Sequence, residues 1–148
     1  MTLILVATDA SWLFDELNAS LGDSSTQLVQ ISDGAQLKRS VREMAPNLVI
    51  LDYQIGSMGG VATSLDLKLE TDMGRVDAVP TLLLCDRRAD VFMAKRASVD
   101  GWLIKPLQPL MVRRAVKSLL AGERFEDDTD QPVTVPSPVY DDLSESSL

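Results

Sequence analysis

The sequence predicts an α/β fold, a doubly wound parallel sheet of five strands with five helices. Two observations carry this. Short apolar-rich runs recur five times along the chain, and the densest read as strands buried on both faces. Segments with apolar residues at helical spacing lie between them, and such alternation argues a parallel sheet covered on both sides. Right-handed crossovers then leave few topologies, of which the strand order 2-1-3-4-5 is expected.

Leu3-Ile4-Leu5-Val6-Ala7 is the first strand, and Thr8-Asp9-Ala10-Ser11 turns the chain and caps the first helix. Trp12, Leu13, Leu17 and Leu21 share one face of that helix over 11–21. After the loop Gly22-Asp23-Ser24-Ser25, Gln27-Leu28-Val29-Gln30-Ile31 is the second strand. Asp33-Gly34 turns into a second helix marked by Leu37, Val41 and Met44, which Pro46 stops.

Leu48-Val49-Ile50-Leu51 is a third strand that ends on a carboxylate, Asp52, before the loop Tyr53-Gln54-Ile55-Gly56-Ser57-Met58-Gly59-Gly60. The third helix carries Val61, Leu65, Leu67 and Leu69 and ends near Thr71. Pro80-Thr81-Leu82-Leu83-Leu84-Cys85 is the fourth strand, and Asp86-Arg87-Arg88 leads into a helix with Val91, Phe92, Ala94 and Ala97 inward. Gly101-Trp102-Leu103-Ile104 is the fifth strand, succeeded by Lys105-Pro106. A last helix over 108–121 turns Leu110, Met111, Ala115, Val116 and Leu119 inward, and Gly122 ends it.

At 148 residues the chain is long enough for one domain and a tail. Residues 122–148 hold eight acids and one base, with Pro132, Pro136 and Pro138, and have little to bury. The expected division is a domain over 1–121 and an acidic disordered tail over 122–148. The whole chain carries a net charge of −8, so the first 121 residues carry only −1. No basic domain of the kind that binds nucleic acid directly is present. No apolar run approaches the roughly 18 residues of a membrane span, and the N-terminus has no basic leader, so a cytoplasmic address is expected.

Cys85 is the only cysteine and there is no histidine. An intrachain disulfide, a thiolate metal cage, a Ser-His-Asp system and any His metal ligand are thereby excluded. Chemistry must run on carboxylates, lysine and a metal.

In the expected topology Asp9, Asp52, Cys85 and Lys105 stand at the carboxyl ends of adjacent strands, where such sheets bind ligands. Two carboxylates and a backbone carbonyl suit a hard cation that keeps several waters, such as Mg²⁺. A lysine point charge suits phosphoryl oxygens.

On these residues the chain resembles the receiver domain of bacterial two-component response regulators, a flavodoxin-like fold, over residues 3–121. Asp52 with Gln54 to Gly60 is similar to the phospho-acceptor loop. Leu103-Ile104-Lys105-Pro106-Leu107 is similar to the lysine-proline end of the family's fifth strand, and Asp9 matches one of its paired acids. The resemblance implies that Asp52 accepts a phosphoryl group from a histidine kinase or phosphotransfer protein. It implies that Asp9, Asp52 and the Gln54 carbonyl hold Mg²⁺, and that Lys105 binds the phosphoryl group. It also implies that Cys85 and Trp102 occupy the switch positions.

The departures are Thr8 where the family has a second acid, Gly56 for the loop proline, Cys85 for a Ser or Thr, and Trp102 for a Tyr or Phe. The loss at Thr8 is expected to weaken Mg²⁺ binding rather than abolish it. Cys85 as a redox sensor is disfavoured, because nothing nearby in sequence marks a lowered thiol pKa.

The resulting expectation is a stand-alone receiver. It is a signalling phospho-acceptor rather than an enzyme, assisting only its own phosphorylation and dephosphorylation. It acts through a downstream protein partner, with a homodimer through helix four, strand five and helix five as one use of the face. The alternative is a pseudo-receiver working as an interaction module without phosphorylation. A nucleotide- or flavin-binding enzyme on the same fold is disfavoured, because the first loop lacks the glycines that admit phosphates.

Overall fold

The structure, a computed structural model, describes residues 1–56 and 58–127. Six strands form one parallel sheet, β1 (Thr2–Ala7), β2 (Thr26–Ile31), β3 (Leu48–Asp52), β4 (Thr81–Cys85), β5 (Gly101–Ile104) and β6 (Phe125–Glu126), in the order β2-β1-β3-β4-β5-β6. Five helices alternate with the first strands: α1 (Ser11–Leu21), α2 (Leu37–Met44), α3 (Gly60–Asp72), α4 (Val91–Arg96) and α5 (Pro109–Leu120). Single 3₁₀ turns at Gly34–Gln36 and Arg88–Asp90 lead into α2 and α4. The predicted fold and strand order are those observed, with one strand added at the β5 edge. This is the flavodoxin-like arrangement.

Every residue of β3, β4 and β5 is buried, as the unbroken apolar runs require of strands covered on both faces. Alternate residues feed two cores. Leu5, Val49, Leu51, Leu83 and Trp102 face one side with α2 and α4, while Ile4, Ile50, Leu82, Leu84 and Leu103 face the other with α1 and α5.

The helices match in place more than in facing. Trp12 is 64% exposed while Leu13 and Leu17 are buried. Phe92 and Leu110 are also exposed, and α4 packs through Val91 and Ala94 instead. In α3 the inward face is Gly60, Thr63, Ser64, Leu67 and Glu70, leaving Leu65 and Leu69 outside. That face carries an acid because Arg75 holds the Glu70 carboxylate at 3.1 Å, so burial leaves no unpaired charge.

Residues 122–127, expected as the start of a disordered tail, are ordered. Gly122 ends α5 with φ +83°, and β6 pairs Gly101 with Phe125 and Trp102 with Glu126. A side chain on Gly101 would place its Cβ 2.7 Å from the Phe125 carbonyl oxygen, so glycine there admits the sixth strand. Asp127 is 4% exposed and its carboxylate accepts from the Ile104 N–H at 2.9 Å. Its carbonyl accepts from the Trp102 indole at 3.3 Å and from Arg88 at 2.8 Å. Backbone pairing and these hydrogen bonds offset the low apolar content on which the disorder expectation rested. The remainder of that expectation, 128–148, lies outside the described residues.

Candidate functional site

The parallel register brings Ala7 beside Leu51, Asp52 beside Leu84 and Cys85 beside Ile104. The chain segments leaving β1, β3, β4 and β5 therefore start level with one another, as strand adjacency predicts. Gly60 fixes the return of the loop after β3. A Cβ there would fall 2.5 Å from the Asp52 carbonyl oxygen and 2.9 Å from a Leu83 methyl, so only glycine lets α3 start this close to the acid.

Asp52 is 2% exposed. Its Oδ1 accepts from the Lys105 ammonium at 2.7 Å and from the Gln54 N–H at 3.0 Å. Its Oδ2 accepts from the Thr8 hydroxyl at 2.7 Å. A buried carboxylate needs such partners, since desolvation otherwise outweighs what holds it. Thr8 is itself fully buried, and its oxygen accepts from the Ala10 N–H at 3.1 Å. Asp9 stands at the surface, its carboxylate accepting from the Gly56 N–H at 3.0 Å. A proline at position 56 would have no N–H to give.

Lys105 succeeds β5 across a backbone hydrogen bond from its N–H to the Cys85 carbonyl, and its peptide bond to Pro106 is cis. Its ammonium also meets Asp86 at 2.9 Å. Burial alone would lower the Lys105 pKa; the hydrogen bonds to Asp52 and Asp86 and their charges outweigh it, so the pKa lies above the ordinary lysine value. A groove lined by Trp12, Leu13, Glu16, Pro106 and Leu107 opens onto Lys105.

Cys85 is fully buried. Burial, then the charges of Asp90 and Asp86, push its thiol up to about 12, the reverse of a redox-sensing thiol. Trp102 is buried and 5.8 Å from the Lys95 ammonium measured to its ring centre.

Asp52, Thr8 and Lys105 are thus in direct contact, with the Gln54 backbone joining them. Asp9 joins through the loop after β3, whereas Cys85 and Trp102 stand on the neighbouring strands. Sequence reasoning misses Asp86 as a site residue, because an acid opening a turn before a helix reads as turn chemistry. It also misses Asp90, 3% exposed, whose carboxylate accepts the backbone N–H groups of Asp86 and Arg87 at 3.1 and 3.0 Å.

As a metal site the donor set is of the right type and thin. Asp9, Asp52 and the Gln54 carbonyl supply oxygens only, which fits a hard cation that keeps several waters. Among the described residues no group of three acids, cysteines or histidines is placed to hold an ion. The Thr8 hydroxyl on Asp52 Oδ2 accounts for part of this, since a hydroxyl stands beside that oxygen in place of a further carboxylate.

No protein-family model matches the sequence. The DNA-binding response regulator MtrA of Mycolicibacterium smegmatis is 27% identical over 134 residues, covering 89% of this chain and 55% of the regulator. The nitrate/nitrite response regulator protein NarL of Escherichia coli is 25% identical over 118 residues, covering 80% of this chain and 53% of its own length. The chain therefore spans about half the length of the curated relatives it matches. Among solved structures, the signal receiver domain of a histidine kinase from Syntrophus aciditrophicus superposes with a TM-score of 0.70 at 22% identity, covering 94% of this chain and all of that one. The chemotaxis protein CheY4 of Vibrio cholerae superposes with a TM-score of 0.69 at 17% identity, covering 80% of this chain and 98% of that one. No helix among the described residues is long and apolar enough to cross a membrane. The relatives of this chain are response regulators, its structural neighbours are receiver domains, and its own fold is the receiver fold.

Proposed function

We propose that this domain is a phosphorylatable switch that accepts a phosphoryl group on Asp52. The observation that carries the reading is the Asp52 carboxylate at a strand end, 2.7 Å from the Lys105 ammonium, with Asp9 held beside the same loop. The donor would be a phosphohistidine of a kinase or phosphotransfer protein. An Asp52 carboxylate oxygen attacks phosphorus, the O–P bond forms, the N–P bond breaks, and the imidazole leaves with the electron pair. Lys105 then donates to the phosphoryl oxygens and offsets their charge. Mg²⁺, when bound by Asp9, Asp52 and the Gln54 carbonyl, would supply further charge neutralisation. Hydrolysis of the acyl phosphate resets the switch, with no other substrate turned over.

The readout would be a protein-protein contact on α4, β5 and α5, with a downstream partner or a second copy, in the cytoplasm. Arg113, Arg114 and Lys117 give α5 an exposed basic side that suits an acidic surface.

A second reading, an interaction module that works unphosphorylated, is supported by the Thr8 hydroxyl in place of an acid and by Cys85. Intact-protein mass after treatment with acetyl phosphate and Mg²⁺ separates the two. The switch reading expects a gain of one phosphate in the wild type and none in Asp52→Asn. Equal labelling of both, or none of either, would overturn it.

A further inference from the structure

Both carboxylate oxygens of Asp86 are used by the candidate site. Oδ1 accepts from the Lys105 ammonium at 2.9 Å, and Oδ2 accepts from the Gln54 side-chain amide at 2.7 Å. The same ammonium meets Asp52 on its other side at 2.7 Å. One lysine thus serves two carboxylates, and Asp86 ties together the chain segments that leave β3, β4 and β5. Its own loop is anchored by Asp90, through the two backbone N–H groups already described. The Asp86 side chain is 24% exposed against 3% for that of Asp52. Water can therefore solvate Asp86 if Lys105 leaves it, whereas Asp52 has no such outlet.

A phosphoryl group on Asp52 would need the Lys105 ammonium and would place its charge within two hydrogen-bond lengths of Asp86. Opposition between like charges at this range is substantial even at a protein-like dielectric. Two carboxylates, Asp52 and Asp86, already share the one ammonium.

We infer that Asp86 is a positioning residue: a carboxylate latch that holds Lys105 and Gln54 in the unmodified state and opposes a phosphoryl group on Asp52. The inference rests on the reading of Asp52 as the acceptor. The latch acts through Lys105 and Gln54 and makes no bond to phosphorus. Phosphorylation must break the Asp86–Lys105 pair, and the carboxylate, released toward water, frees the Gln54 amide with it.

Beryllofluoride with Mg²⁺, which mimics the phosphoryl group, tests this on the full chain by Trp fluorescence and by NMR. Asp86→Asn keeps the shape and an acceptor but removes the charge. It is expected to bind the mimic roughly tenfold more tightly at low salt, and the gain should shrink in high salt as charges are screened. Asp86→Glu keeps the charge and should stay near wild type. Asp86→Asn should also hold its phosphate longer by intact mass after acetyl phosphate is removed. Equal or weaker binding by a folded Asp86→Asn, while the wild type binds, would overturn the latch and leave the acceptor reading standing. Absence of both binding and mass gain in every variant would overturn the two together.

Discussion

The Thr8 hydroxyl donates to the Asp52 carboxylate at 2.7 Å, with both groups buried. The residue that reads in sequence as a missing acid is a hydrogen-bond donor to the proposed acceptor. Its effect on the unmodified protein is to stabilise the charged carboxylate, since hydrogen bonds to a charged group are worth more than neutral ones.

Restoring the acid should therefore have two opposite effects. Thr8→Asp removes the donor and sets a second carboxylate against Asp52, a cost of about 3 kcal/mol when a buried charge is left unpaired. Without Mg²⁺ the variant should melt below the wild type. Mg²⁺ should raise its melting temperature more than it raises that of the wild type, because at one Mg²⁺ concentration the tighter-binding protein is stabilised more. Thermal melts across a Mg²⁺ series decide it; an equal rise in both proteins would mean that position 8 has no part in cation binding.

Cys85 makes stability depend on alkaline pH. Burial pushes its folded thiol up from an ordinary value of 9.0 to about 12. A raised thiol pKa means that the unfolded chain gives up its proton first. The contribution is fully present below 9.0 and is lost as pH rises toward about 12, at up to roughly 1.4 kcal/mol per pH unit. Urea midpoints of the wild type should fall over this range more steeply than those of Cys85→Ala. In the native protein at pH 8 the thiol should be silent to a disulfide reagent that labels the urea-unfolded chain at once. Rapid native labelling would contradict its burial.

Ending the chain at Ala121, the boundary that the sequence sets between domain and tail, should be costly. It removes β6 and, with Asp127, the acceptors for Ile104, Trp102 and Arg88. Losing these partners should cost about 3 kcal/mol, on the order of 10 °C in melting temperature for a domain of this size. A chain ending just after Asp127 should melt as the full chain does. Equal melting of all three would show that the β6 contacts contribute nothing.

The strands are legible in the sequence because burial on both faces leaves an unbroken apolar signature that periodicity reads directly. Asp52 and Lys105 are legible because each closes such a run. Helix facing is less so: Trp12, Phe92 and Leu110 are apolar yet lie outside, and only the sheet decides which stripe is covered. Thr63, Ser64 and Glu70 are hidden for the converse reason, being polar residues that pack inward. β6 has two residues and no periodicity. Its existence depends on a glycine in another strand and on hydrogen bonds to Trp102 and Ile104, partners more than twenty positions away.

The direction of β6 changes where the chain departs. α5 carries the backbone away from the Lys105 end of the sheet, and a segment joined there would leave from the rear. β6 runs parallel to β5 and brings the backbone forward again, so that Asp127 stands against Ile104, one residue before Lys105. Asp127, the last described residue, therefore stands at the same end of the sheet as Lys105 and not at the rear. The last strand thus braces β5 along its outer edge, up to the residue before Lys105.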